Sequence, residues 1–256
     1  MKPIEKQVKI FETAGGTFCI PASELKRNAE HIHGFIFDWD GVFHPGQKGH
    51  SNSGVFSEVD SMGINMLRYG YWRQHRRLPF IAIISGQQDK TAIKFAGREH
   101  FDGIYMGIKD KKNALDHACT AAQITPRQMA CVFDDIIDLS MVKSCGLKIQ
   151  VKCTASPMFT EYTRENRLCD YITAHTAREN AVRECCELLL ALWGNYSETI
   201  TSRVAFDADY QAYWKTRNEN ETHYYTWEND QLIASGGQGD SFRENRPPGP
   251  PAKAFD

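Results

Sequence analysis

This chain of 256 residues lacks a charge excess, a long apolar run and a cysteine pairing pattern. Its 30 Lys and Arg against 32 Asp and Glu leave a net charge of -2. No polyanion is implied as a partner, so nucleic acid is not expected. No segment approaches the ~20 consecutive apolar residues that a membrane-spanning helix needs, so no membrane partner is expected. The beginning, Met1-Lys2-Pro3-Ile4-Glu5-Lys6, lacks the apolar run of a signal peptide. The eight cysteines are scattered, and none forms a Cys-x-x-Cys pair. That spacing argues against zinc and predicts reduced, mostly buried thiols in a cytoplasmic protein. Cys185-Cys186 is expected on a helix with its side chains diverging. There is no internal repeat.

What is there begins with Phe35-Ile36-Phe37-Asp38-Trp39-Asp40-Gly41. An apolar run breaks off into two carboxylates with one residue between them. Along a strand, residues i and i+2 point to the same side. Asp38 and Asp40 therefore leave the strand end together. Carboxylates that close repel unless a cation or a shared proton intervenes. Mg2+ suits an all-oxygen site of this kind. One carboxylate could then attack an electrophile while the other moves a proton. The competing reading is an acidic turn after a strand.

Short apolar runs at residues 34–38, 80–85, 103–106, 130–134 and 147–151 read as buried parallel strands, and 170–173 is a candidate sixth. Helical patterns fill the gaps at 60–71, 88–99, 111–122 and 136–143, and another follows at 179–192. Strands alternating with helices predict an α/β fold with a parallel sheet covered on both faces. Ligands of such sheets bind beyond the carboxyl ends of the strands. Asp38, Ser85 and Asp134 stand where apolar runs stop, so all three would face one crevice.

Flanking segments extend this core. Residues 8–12, Gly15-Gly16 and residues 17–20 read as a β-hairpin, followed by a short helix through His31 with Ser23 as its cap. Residues 208–217 read as a helix with Tyr210, Tyr213 and Trp214 as its aromatic residues. The Gly- and Pro-rich stretch 236–256 predicts disorder.

Three further motifs complete the pattern. Ser85-Gly86 offers a hydroxyl and exposed N–H groups to a phosphate oxygen, or is a plain turn with Ser85 as a helix cap. Lys109, Lys111 and Lys112 crowd a helix start, where cations oppose the helix dipole. They indicate a nearby anion or a solvated turn. Asp134, Asp135 and Asp138 cluster just past a strand, which calls for a compensating cation.

The order Asp-x-Asp, Ser, Lys, paired Asp resembles the haloacid dehalogenase (HAD) superfamily of phosphotransferases. Phe56-x-x-x-Asp60-x-x-Gly63-Ile64, Gly107-x-x-Asp110-Lys111, Asp134-Asp135-x-x-Asp138-Leu139, Cys169-Asp170-Tyr171-Ile172-Thr173 and Ala181-Val182-Arg183-Glu184 resemble its 3-deoxy-D-manno-octulosonate 8-phosphate phosphatase and nonulosonate 9-phosphatase branch. The resemblance covers roughly residues 33–193. It implies a three-layer Rossmann-like fold, Mg2+ as cofactor and a small phosphorylated metabolite, such as a sugar acid phosphate, as substrate. Asp38 would be the nucleophile that forms an aspartyl-phosphate, and Asp40 the general acid and base. Ser85, Gly86, Lys111 and Asp60 would bind phosphate or substrate. Asp134, the Asp38 carboxylate and the Asp40 carbonyl would hold Mg2+, with Asp135 and Asp138 as supporting acids. Spacing leaves no room for a large cap domain. The resemblance implies a homotetramer instead, whose neighbouring subunit covers the site through a hairpin at residues 44–56.

The sequence departs from this branch in places. Phe133 replaces the Gly before the paired acids, and Gly86-Gln87-Gln88-Asp89 replaces Gly-Arg-x-Ser. These departures motivate an alternative, a catalytically weak scaffold or regulatory protein on the same fold. The expected organisation is an N-terminal extension at 1–32, a phosphatase core at 33–194, a C-terminal helical extension at 195–235 and the tail at 236–256.

Overall fold

The computed structural model of the protein describes residues 3–47, 55–229 and 231–235. The chain opens with α1 (Pro3–Ala14), β1 (Thr17–Phe18), α2 (Ala22–Glu30) and β2 (Gly34–Phe37). It continues through α3 (Glu58–His75), β3 (Phe80–Ile84), α4 (Lys90–Arg98), β4 (Gly103–Met106) and α5 (Lys111–Ala122). Next come β5 (Met129–Phe133), α6 (Leu139–Val142), β6 (Leu147–Gln150), α7 (Pro157–Glu165), β7 (Tyr171–Ile172) and α8 (Ala181–Trp193). The last elements are α9 (Tyr196–Ala205), α10 (Ala208–Glu219), β8 (His223–Glu228) and β9 (Gln231–Ala234).

The described strands join one sheet in the order β1-β7-β6-β5-β2-β3-β4-β8-β9, antiparallel at its two edges and parallel between them. Each central strand sends alternate residues to opposite faces, because the side-chain period is two. Phe35, Phe37, Ile81, Ile83 and Val132 pack under α2, α3, α4 and α8 on one face. Ile36, Ala82, Ile84, Cys131 and Phe133 pack under α5 and α6 on the other. The result is the expected layered α/β fold with a largely parallel sheet. Phe133 is buried in the second of these cores, so its bulk is spent on packing. All eight cysteines are free, and six are buried. Among the described residues, no helix is long and apolar enough to cross a membrane.

The extensions differ from expectation. Residues 8–12 are not a strand but part of α1. Ile4, Gln7, Val8 and Phe11 are its half-buried positions, an i, i+3, i+4, i+7 face. The Val8/Ile10 alternation imitates a strand, yet Ile10 is 58% exposed. Of the expected hairpin only Thr17–Phe18 is extended, and it pairs with β7. Ser23 lies inside α2, which starts after Pro21.

The C-terminal extension is not only helical. Tyr210 and Tyr213 of α10 pack against Met66, Tyr69 and Trp72 of α3. The chain then adds β8 to the edge of β4, with Gly103 opposite His223, and turns through Asn229 (φ 48°) into β9. The signal for this hairpin, an aromatic run before Glu228-Asn229-Asp230, was in the sequence. Most of the expected hairpin at 44–56 and all of the tail at 236–256 lie outside the described residues.

Candidate active site

β2 lies between β3 and β5, in register with both. The chain leaves β2 toward one side of the sheet and returns to its other side at β5, so a crevice opens at the carboxyl end of β2. Asp38, Ser85 and Asp134 are the first residues past β2, β3 and β5. All three sit at that crevice, as the sequence predicts.

Lys111 begins α5 and is 1% exposed. Its Nζ donates to Asp38 Oδ1 at 2.6 Å and to Asp138 Oδ1 at 2.5 Å. Lys111, and not exposed Lys109, is therefore the lysine of the site. Lys112 pairs with Asp116 one turn along the helix. Burial alone would lower the Lys111 pKa, but Asp38 and Asp138 more than offset it and hold the ammonium above its ordinary range. Carboxylate oxygens of Asp38, Asp134 and Asp138 lie within 4.8 Å of one another. Burial, then the Asp138 charge, raises Asp38 to about 7 against the pull of Lys111. Burial, then Asp38, Asp138 and Asp135, raises Asp134 to about 9.

The remaining acids divide sharply. Asp138 is fully buried. Its Oδ2 accepts from the N–H groups of Asp134 and Asp135 at 3.3 and 3.1 Å. It thus braces both Lys111 and the loop carrying Asp134. Asp135 is exposed and accepts from the Ile136 N–H, capping the turn that follows. Asp40 is half-buried, with Oδ1 3.2 Å from Nε2 of His44. The sequence reading missed His44.

Asp60 is not brought to the crevice as a substrate-binding group. It is fully buried, and its Oδ1 accepts from the Arg183 N–H at 2.9 Å. It supplies an acceptor at the start of α8, where Asn180 makes no side-chain cap. Burial raises it to about 6. Its motif is a helix-packing signal, which residue type alone does not distinguish from a ligand.

Ser85 is buried and its Oγ accepts from the Gln87 N–H at 3.2 Å. It does not cap α4, because Asp89 does so through the N–H groups of Thr91 and Ala92. Gly86 is the next residue on this turn, and a Cβ there would meet Ile108 O and Ile137 Cδ1 at 3.6 Å. Gly41 has φ +81°, and a Cβ there would sit 1.9 Å from Asp134 Oδ2. Only glycine allows the chain after Asp40 to pass this close to that carboxylate.

Solved structures share the fold. The phosphatase of Moraxella catarrhalis in complex with magnesium ion, phosphate ion and KDO matches with TM-score 0.58 and 28% identity, over 70% of this chain and 98% of that one. A structure from Legionella pneumophila, described as a HAD superfamily (subfamily III A) hydrolase, matches with TM-score 0.60 and 26% identity, over 72% of this chain and 95% of that one. The fold and these neighbours together support a phosphatase of the HAD type. Among curated proteins, the chain is 28% identical over 181 residues to the 3-deoxy-D-manno-octulosonate 8-phosphate phosphatase KdsC of Escherichia coli K12, covering 69% of this chain and 89% of that protein. It is 29% identical over 174 residues to KdsC of Salmonella typhimurium, covering 66% and 85%. Within its class the chain therefore resembles the KdsC phosphatases. No protein-family model matches it.

The donor set fits Mg2+. Three carboxylates crowd one ammonium, two of them raised by mutual repulsion and burial. Oxygen donors and a shortage of positive charge suit a hard divalent cation. A stability test follows. The folded state holds protons on Asp38 and Asp134 that the unfolded chain, with carboxyls near 3.8, releases. The fold's advantage is therefore complete below about pH 4 and is lost as pH rises through about 7 and about 9. Melting of the metal-free protein in EDTA should show this decline. The stabilisation by added Mg2+ should grow over the same range, because Mg2+ competes with those protons. Asp134→Asn should flatten both trends. A melting temperature in EDTA that climbs from pH 5 to pH 9 would contradict the assignment.

Proposed function

We propose that the protein is a Mg2+-dependent phosphomonoesterase acting on a phosphorylated sugar acid through an aspartyl-phosphate on Asp38. The observation that carries this reading is the Lys111 ammonium clamped between Asp38 and Asp138, with Asp134 beside them. A structural salt bridge needs no third carboxylate at such close quarters, whereas phosphoryl transfer needs cations around a nucleophile.

In this reading Asp38 attacks phosphorus, and Asp40 protonates the departing sugar oxygen. Asp40 then takes a proton from water, which attacks the aspartyl-phosphate and frees Asp38. Lys111 holds Asp38 in place and spreads the charge on the phosphoryl oxygens. Ser85 and the N–H groups past it receive phosphoryl oxygens. Asp134, Asp38 and the Asp40 carbonyl would hold Mg2+, which would supply further positive charge to the phosphoryl group. Asp138 is fully engaged by Lys111 and two backbone N–H groups, which supports a bracing role rather than ligation.

Exposed Val59 and Met62 at the start of α3, Ile136 and Ile137 after β5, and Met158 at the start of α7 follow the carboxyl ends of strands. The reading includes a homotetramer in which another subunit covers the crevice and limits water, and these exposed apolar side chains are available to such a neighbour. The test is phosphate release from a panel of phosphorylated sugar acids and sugars, with Mg2+ and with EDTA. Release from a sugar acid phosphate that EDTA stops is the expected result. No release from any panel member would refute the reading.

A further inference from the structure

His44 closes the turn that begins at Asp40. The Gly41 N–H donates to the His44 carbonyl at 2.7 Å, and Asp40 and His44 form an isolated bridge. The imidazole is 3% exposed and stands edge-on to the Trp39 ring. The Gly46 N–H donates to its Nδ1 at 3.2 Å. A ring nitrogen that accepts a hydrogen bond carries no proton, so the neutral ring is protonated at Nε2. Buried Nε2 has no aligned hydrogen-bond partner, yet lies 3.2 Å from Asp40 Oδ1. A small rotation of the Asp40 carboxyl would complete that bond, and apo sites commonly hold such bonds poorly aligned.

We propose that His44 is a positioning residue for Asp40, fixing which carboxyl oxygen handles the proton. With the Nε2–H on Oδ1, the transferable proton sits on Oδ2. The inference rests on the phosphomonoesterase reading above. In the first half-reaction the Asp38–phosphorus bond forms as the phosphorus–oxygen bond to the leaving group breaks. The leaving oxygen keeps that electron pair and takes the proton from Asp40 Oδ2. In the second, Oδ2 takes a proton from water as the water oxygen bonds phosphorus and the Asp38–phosphorus bond breaks. His44 keeps its Nε2–H on Oδ1 and orients the same carboxyl in both halves.

The effect should scale with the leaving group's need for a proton. Phenolate needs one more than p-nitrophenolate does, and the two phosphate esters share a shape. kcat/KM reports the first half-reaction alone, so the readout is the ratio of kcat/KM on phenyl phosphate to that on p-nitrophenyl phosphate, with Mg2+. His44→Phe fills the ring space without a donor and should lower this ratio by about tenfold or more. His44→Gln keeps an N–H donor near the Nε2 position and should restore most of it. If His44→Phe does not fold, His44→Asn, whose amide matches Nδ1 rather than Nε2, takes its place. Loss of the ratio with rescue by Gln supports the proposal. An unchanged ratio, or a Gln variant no better than Phe, overturns it and leaves the phosphatase reading intact. A wild-type protein inactive on both esters and on the sugar phosphate panel overturns both.

Discussion

Asp38→Asn should lower kcat on the order of 10^4-fold or more, while making the metal-free protein more stable. An amide oxygen is too poor a nucleophile to form an acyl phosphate. Asparagine keeps the shape and still offers Oδ1 to Lys111, so the fold should survive. Removing this charge also relieves Asp134, whose pKa Asp38 raises. The two effects have opposite signs, which separates chemistry from unfolding. The measurements are steady-state hydrolysis with Mg2+ and thermal melting in EDTA near pH 8. Fluorine NMR with beryllofluoride and Mg2+ adds a direct probe, since the acyl-phosphate mimic should form on wild type and not on the variant. Activity within tenfold of wild type would move the nucleophile elsewhere. Absence of the mimic on wild type would favour the scaffold alternative.

Lys111→Met should abolish turnover and destabilise the fold together. The ammonium is buried, with side-chain exposures of 1%, 4% and 0% for Lys111, Asp38 and Asp138. Breaking a buried pair from one side leaves an uncompensated charge, at a cost of about 3–5 kcal/mol. The pH dependence identifies the cause. Lys111 lowers both Asp38 and Asp134, so without it these two bind protons still more tightly in the fold. The loss should therefore be largest at alkaline pH and shrink as the carboxylates protonate on acidification. Urea melts at pH 5 and pH 8 would show this. Lys111→Met with Asp138→Asn should recover part of the stability and none of the activity, because the lost cation also offsets charge on the phosphoryl group. A loss equal at both pH values would point to packing instead.

The candidate site residues were legible because each occupies a place that sequence marks twice. Asp38, Ser85 and Asp134 carry the right chemistry, and each ends an apolar run. Lys111 opens a helix at a position unfavourable for a cation. Asp138 and Asp60 were harder, because both are acids within motif-like surroundings. Asp138 folds back over one turn to brace Lys111 and the loop N–H groups. Asp60 faces the start of α8, more than a hundred residues away. His44 carried a weaker signal, an i, i+4 spacing from Asp40 with no chemistry attached to it. The mistaken strand at residues 8–12 shows a related limit. Short apolar segments fit both periods, and contact with the core chooses between them.

By itself the sequence determined the alternation of strands and helices, the strand ends that present Asp38, Ser85 and Asp134, and the need for a cation among crowded carboxylates. These follow from local periodicity and from charge placed next to apolar runs. Only the tertiary structure decided that Asp138 braces Lys111 and that Asp60 belongs to helix packing. It also decided that the C-terminal segment completes the sheet beside β4 rather than remaining a helical appendage. Those outcomes depend on which distant backbone N–H, carboxylate or strand edge comes within bonding distance, and that information lies in no single stretch of the chain.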